Sequence, residues 1–436
     1  MINKALQHLK IEALNTIQQV MLQQAEKNAG QDVVLLSPTG SGKTLAFLLP
    51  LLQQLKADIE QVQVLIIVPS RELALQIEQV FKSMGTLFKI NSCYGGHDTK
   101  VERNNFTHAP AVLVGTPGRI LYHLNRGSFD TKGIHTLVLD EFDKSLEFGF
   151  IKEMEQIINV LPNLRKRILT SATQGVEIPA FAGLTNPEIF NYLTNKSIPQ
   201  LKLKQVNITG HDKLQALMAL IGLIGNETTL IFCNHRDAVD RISLLLTNSE
   251  VIHDVYHGKL EQEERQLALL KFRNGSNQLL ITTDLASRGL DIPAIRHVIH
   301  YQLPHSLEIF THRNGRTARM HADGSAYLIL SEEETVPPFI KDHLEKVDLP
   351  SKYTLPTPSE WATIYFSAGK KDKINKIDIV GFLIQKGGLL KQELGLIEVQ
   401  DYTAYAAVKR DKVTDVLHKV KSEKLKNKNV KLVLQQ

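Results

Sequence analysis

The sequence predicts an α/β protein: two tandem parallel-sheet domains followed by a small α+β domain. Three observations carry that prediction. Short β-branched or leucine-rich runs alternate with amphipathic helical stretches through most of the 436 residues, as expected of parallel strands covered on both faces by helices. The runs fall into two sets, separated by a segment with no clear apolar period. After a second break the order changes to four strands interleaved with two helices.

Taken in order, VQVLIIV (62–68), AVLVG (111–115), HTLVLD (135–140) and RILTS (167–171) read as buried strands of the first set. TTLIFC (228–233), LLITTD (279–284), HVIHY (297–301) and AYLIL (326–330) form the second. Between them NPEIFNYLTNKSIPQLKLKQ (186–205) contains two prolines and reads as the linker. The second break, VDLPSKYTLPTPSEW (347–361), is rich in Pro, Ser and Thr. Beyond it the pattern gives a strand (363–367), a helix (377–386), strands (395–400 and 402–408), a helix (411–423) and a last strand (430–434). That βαββαβ order is the split arrangement of ferredoxin-like and RRM-like folds. The expected domains are residues 1–195, 206–346 and 362–436. The two larger halves echo one another in pattern only.

Composition narrows the class. An apolar fraction of 43% and a charged fraction of 22% fit a globular protein, and no run is long and apolar enough to span a bilayer. MINKALQHLKIEALN lacks the apolar core of a signal peptide. Cys93 and Cys233 lie far apart without metal-ligand spacing, which fits a reducing cytoplasm. Net charge is +5, unevenly spread: residues 366–436 hold 15 Lys and Arg against 8 Asp and Glu, a balance of +7, leaving −2 elsewhere. A near-neutral body with a basic tail is a footprint of nucleic-acid binding. A solvated lysine-rich surface would give the same count.

Three motifs carry chemistry. SPTGSGKT (37–44) lies between a strand and an apolar helical run, where a glycine-rich loop turns backbone N–H groups toward phosphate. Thr39, Gly40, Ser41 and Gly42 would form that cradle, Lys43 would reach the β- and γ-phosphates, and Thr44 would hold Mg²⁺. A glycine turn before a helix explains the glycines but not the Gly-Lys-Thr ending. DEFD (140–143) ends a strand, so Asp140 could hold the metal ion and Glu141 could deprotonate the attacking water. HRNGRTAR (312–319) places Arg316 and Arg319 three apart, on one face if helical. Such arginines suit the charge of a γ-phosphate in its transition state; alone, they would read as a surface cluster with carboxylate partners.

In this order the three motifs resemble the DEAD-box RNA helicases of superfamily 2, over roughly residues 1–345. PSRELA (69–74), Gly95–Gly96, TPGR (116–119), SAT (171–173), LIFCNHR (230–236), HGKLEQEER (257–265) and TTDLASRGLD (282–291) extend the match. The resemblance implies two RecA-like domains that bind and hydrolyse ATP through Lys43, Thr44, Asp140 and Glu141. Arg316 and Arg319 would act from the second domain, with His312, Gly289 and Asp291. Arg71, Gly96, Thr116 and Arg119 would contact the RNA backbone, as would Gly258, Arg265 and Thr283. Ser171 and Thr173 would couple hydrolysis to strand separation. Ser37 and Phe142 depart from the family pattern, Phe142 standing where the family has alanine. Gln18 stands in IEALNTIQ where the family reads adenine with a Pro-Thr-Pro-Ile-Gln segment; an exposed helix glutamine is the alternative.

The tail resembles the RNA-binding domain of the DbpA group, through YFSAGKKDKINKIDIVGFL (365–383), LGLIEVQDYTAYAAVKR (394–410) and LKNKNVKLVL (425–434). This implies structured large-subunit ribosomal RNA as target and a part in ribosome assembly; a monomer is expected. Lys370, Lys371 and Lys373 would contact phosphate, or be plain solvated lysines. Tyr402 and Tyr405, on one expected strand at odd separation, cannot both face the sheet's open surface. Alternatives are a broader RNA chaperone acting on mRNA or in the cold, and a DNA helicase.

Overall fold

The computed structural model describes the chain apart from residues 39, 97–98, 174–177, 194–200, 209–211, 288–294, 318–323 and 436. The first domain is a seven-stranded sheet: β1 (Val33–Leu36), β2 (Val64–Ile67), β3 (Ile90–Cys93), β4 (Val112–Gly115), β5 (Thr136–Leu139), β6 (Lys166–Ser171) and β7 (Glu188–Asn191). They run in the order β3-β4-β2-β5-β6-β1-β7, and every pairing is parallel. Leucine, isoleucine and valine on both sides of each central strand split the core into two layers. One holds the helix Lys43–Gln54 with Phe47 and Phe81; the other holds Ile120, Phe142, Met154 and Ile157.

The second domain repeats the plan with β8 (Leu201–Asn207), β9 (Thr229–Phe232), β10 (Asp254–Tyr256), β11 (Leu279–Thr282), β12 (His297–His300), β13 (Gly324–Leu330) and β14 (Glu345–Lys346). Their order is β10-β11-β9-β12-β13-β8-β14. Counted from each domain's own first strand, the two orders are the same. The halves therefore share a topology, where the sequence showed only a shared style.

The expected linker is narrower than the sequence suggests. Within 186–205, β7 pairs with β1 and β8 pairs with β13. β7 (EIFN) has only two apolar residues and β8 (LKLKQVN) mixes them with polar ones, so neither shows the continuous apolar run that marks the central strands. The second break is not a free tether either. Val347, Leu349 and Leu355 pack on the second domain's core, Tyr353 lies against Gly222, and Asn226 donates to Thr357 at 2.8 Å.

The C-terminal domain has all six expected elements: β15 (Trp361–Phe366), the helix Lys376–Gln385, β16 (Leu394–Val399), β17 (Ala404–Lys409), the helix Val413–Lys419 and β18 (Leu432–Gln435). The sheet is antiparallel, ordered β16-β17-β15-β18. Ala362, Ile364, Phe366, Ala404, Ala406 and Val408 face the helices and make the core. The other face carries Thr363, Tyr365, Tyr405 and Ala407.

Candidate nucleotide and RNA sites

Ligands of open parallel sheets gather at the carboxyl ends of the strands, and the first domain divides that edge in two. Lys43 follows β1, Asp140 follows β5 and Ser171 ends β6, three adjacent strands. Gly42 caps the helix Lys43–Gln54 at φ +85°, and a Cβ there would lie 2.7 Å from Gln18 Nε2 and 3.0 Å from Asn15 Nδ2. Only glycine fits. Lys43 Nζ donates to the carbonyls of Ser37 at 2.7 Å and Pro38 at 3.4 Å. The off-pattern Ser37 is fully buried; its hydroxyl meets that of Ser41 at 2.6 Å, tying the ends of the loop.

Gln18 is not an exposed helix glutamine. It is buried, completes a capping box with Asn15, and places Nε2 3.5 Å from the Gly42 carbonyl, while Asn15 Nδ2 donates to Ser41 O at 2.9 Å. Asn15 is a contact of the loop that the sequence did not single out.

Asp140 is buried at the end of β5. Burial pushes its carboxyl above the usual range; the hydroxyl of Thr170 and the charge of Lys43 pull it back. Glu141 follows in the left-handed region at φ +48°, its amide donating to Thr170 Oγ1 at 3.2 Å. Thr173 Oγ1 donates to Asp143 Oδ2 at 2.8 Å, and the Ser171 hydroxyl accepts from the Thr173 amide at 3.0 Å. Phe142 turns into the core beside Leu139, Leu169 and Met154. The bulk that replaces alanine is thus absorbed below the acids rather than among them.

The remaining edge, β3-β4-β2, carries the residues expected to touch RNA. Arg71 opens the helix after β2, and Gly96 (φ +83°) follows β3. A Cβ on Gly96 would lie 2.5 Å from Arg71 Nη1, so the two are in contact. Thr116 follows β4 and caps the helix that bears Arg119. Arg119 Nε donates to Tyr94 O at 3.0 Å and lies 3.4 Å from Glu102, which is 2.7 Å from His123 Nε2. This buried Glu102–His123 pair holds Arg119 in place and left no trace in the sequence pattern.

In the second domain Gly258 follows β10 and Thr283 follows the neighbouring β11. Arg265 is buried on its helix and donates to Gln262 at 2.6 Å. The helix Leu307–Asn314 bears His312 and stops short of Arg316, which lies buried in the following turn. Arg316 is therefore not on the helix that would align it with Arg319. Arg319, Gly289, Asp291 and Thr39 lie outside the described residues. Arg313 is fully buried and joins three strand ends: it pairs with Asp284 at 2.6 Å and donates to Gln302 O and Asn234 Oδ1. The carboxylate-partner alternative describes Arg313, though at the core rather than the surface.

Comparison with known proteins agrees with this arrangement. Residues 15–180 match the DEAD/DEAH box helicase family, 212–321 the helicase conserved C-terminal domain, and 363–433 the DbpA RNA binding domain. The ATP-dependent RNA helicase DbpA of Escherichia coli is 32% identical, over 93% of this chain and 91% of its own length. The chain belongs to the DbpA group of DEAD-box ATP-dependent RNA helicases. DbpA of Bacillus subtilis is 29% identical over 92% of this chain and 91% of its own. Among solved structures, S. cerevisiae Dbp5 bound to RNA and ADP BeF3 superposes with a TM-score of 0.70 at 26% identity, covering 79% of this chain and 93% of that one. As a DEAD-box helicase the chain binds ATP and RNA and is an RNA-stimulated ATPase. No helix among its described residues is long and apolar enough to cross a membrane.

In this DEAD-box protein the helix-free face of the C-terminal sheet is not open. Thr363 is fully buried and its hydroxyl meets Asn274 Nδ2 at 2.8 Å and Ser276 Oγ at 2.7 Å, both in the turn after the helix Gln262–Arg273. Arg273 pairs with Glu398 at 3.1 Å, and Arg410 donates to the carbonyls of Ser359 and Trp361 at 2.6 and 2.8 Å. Tyr405 packs edge-on against Tyr365 at 5.6 Å, whereas Tyr402 precedes the strand and is 69% exposed. Lys370, Lys371 and Lys373 are exposed. Their turn is laced to Lys426 and Lys428, which donate to Lys373 O at 3.0 Å and to Asp372 at 3.1 Å.

Proposed function

We propose that this DEAD-box helicase uses ATP and Mg²⁺ to open structured ribosomal RNA during large-subunit assembly, as a cytoplasmic monomer. The observation that carries the target is the match of residues 363–433 to the DbpA RNA binding domain, with exposed lysines at Lys370, Lys371 and Lys373. Backbone contacts position a strand without reading it, so selection falls to the tail. Its +7 balance supplies long-range, salt-dependent attraction that the remaining −2 does not.

The donor set fits a hard cation. Asp140 offers a buried carboxylate whose compensation is incomplete and Thr44 a hydroxyl, both oxygen ligands. When bound, Mg²⁺ would neutralise charge on the phosphates. Lys43 would exchange its loop carbonyls for phosphate oxygens, and the loop amides would hold the β-phosphate. Glu141 would orient the water and take its proton. Arg316 and Arg319 would complete the site when ATP and a bent single strand favour the closed state, each raising the other's affinity by linkage. The tie between Thr173 and Asp143 supports Ser171 and Thr173 as the coupling residues, because it joins the acids to the end of β6.

The test compares the full chain with one ending at Glu360, measuring RNA-stimulated ATPase with ribosomal RNA fragments and with a generic single strand. Selectivity for the ribosomal fragment should collapse in the shorter chain, while hydrolysis at saturating generic RNA survives. Equal discrimination by both chains sinks the reading.

A further inference from the structure

Thr170 is fully buried on β6, between β5 and the phosphate-loop strand β1. A threonine hydroxyl has one proton to give and lone pairs to receive, and here both capacities are used on the acidic motif. Its proton goes to Asp140 Oδ1, and its oxygen receives the amide of Glu141 at 3.2 Å. Glu141 is a non-glycine residue at φ +48°, a conformation that persists only where its surroundings hold it. One hydroxyl thus fixes the rotamer of the first acid and the backbone of the second. We propose that Thr170 is a positioning residue for ATP hydrolysis, aligning Asp140 and Glu141 through this doubly used hydroxyl; the proposal rests on the nucleotide-site reading above.

The same strand end carries a parallel tie, Thr173 to Asp143, so residues 170 and 173 hold residues 140 and 143 across the sheet. Only the first of these ties reaches the catalytic pair. Threonine also suits the site sterically, because valine has the same shape and the same preference for a strand. Thr170→Val therefore removes the hydroxyl and little else, and Thr170→Ser restores it.

In the full chain with saturating RNA, Thr170→Val should lower kcat at least ~10-fold, because small misplacements of a base and its partner cost that much or more. The KM for ATP should stay within about threefold, since the loop amides and Lys43 are untouched. Affinity for a fluorescent ATP analogue, measured in Mg²⁺ and again in EDTA, supplies a second readout. The gain that Mg²⁺ confers should shrink in the valine variant and return in the serine variant. Thr170→Val leaves the buried Asp140 carboxyl and Glu141 amide without that partner, so the unfolding temperature should fall modestly and recover in Thr170→Ser. Three results overturn the inference: wild-type kcat in the valine variant, equal losses in the valine and serine variants, or an ATP affinity that falls equally in Mg²⁺ and in EDTA. Glu141→Gln and Lys43→Ala run alongside separate the two levels. If those also hydrolyse ATP normally, the nucleotide site has been misassigned; if they are dead while Thr170→Val is normal, only the role of Thr170 falls.

Discussion

Glu141 is held by its backbone in the left-handed region while its neighbour Asp140 is held by its side chain, so the two acids can be perturbed separately. Glu141→Gln keeps shape and backbone but removes the proposed base. Its kcat should fall by ~10²–10⁴, the range for general acid–base catalysis, while ATP and RNA still bind; normal turnover would remove Glu141 from the mechanism. Lys166 gives a prediction of pH dependence. It is buried at the start of β6, donating to Gln24 Oε1 at 3.1 Å, and burial pushes its amine down to about 8 against the pull of Asp32 and Glu188. Below about pH 8 the amine is charged in both states and its burial counts fully against the fold. Between there and about 10.5 the unfolded chain binds a proton that the folded one does not, so stability rises with pH. Urea unfolding of the first domain should show wild type gaining on the order of 2 kcal/mol relative to Lys166→Met between about pH 7.5 and 9.5; a gain in the opposite direction is incompatible with this assignment. Asp140, Glu141 and Lys43 could be read from the sequence because their types and spacing are specific. Asn15, Glu102 and Thr170 could not: each is a common residue whose partner lies 21 to 30 positions away.

At the scale of elements, the central strands of the two parallel sheets were readable in advance because runs of Val, Ile and Leu buried on both faces have one explanation. β7 and β8 were read as linker because the segment that holds them contains two prolines and no clear apolar period, and pairing partners decide such cases. The docked C-terminal sheet was equally hidden, since its covering turn, Arg273–Asn277, is about ninety residues upstream of Thr363. Thr363→Val should leave Asn274 and Ser276 buried without their shared partner, at a cost of ~1–3 kcal/mol. Amide exchange along Trp361–Phe366 should then quicken, with ATP turnover little changed. Unaltered protection would mean that the polar contacts contribute nothing to docking.

For the molecule as a whole, the first domain closes its own sheet, because β7 pairs with β1 inside residues 1–200. That fragment should fold and bind nucleotide weakly, yet hydrolyse it negligibly without the arginines that follow residue 300. Substantial RNA-stimulated hydrolysis by the fragment would defeat a two-domain mechanism. The docking of the C-terminal domain has one more consequence. Because that domain is packed against the second helicase domain rather than strung from a loose tether, RNA held by it would stay close to one half of the motor. Capture of the neighbouring strand is then an intramolecular event governed by effective concentration rather than by the amount of RNA in solution. On the proposed reading, an opened strand would leave the core at the end of an ATP cycle while the substrate stayed moored, and the next attempt would begin on the same molecule.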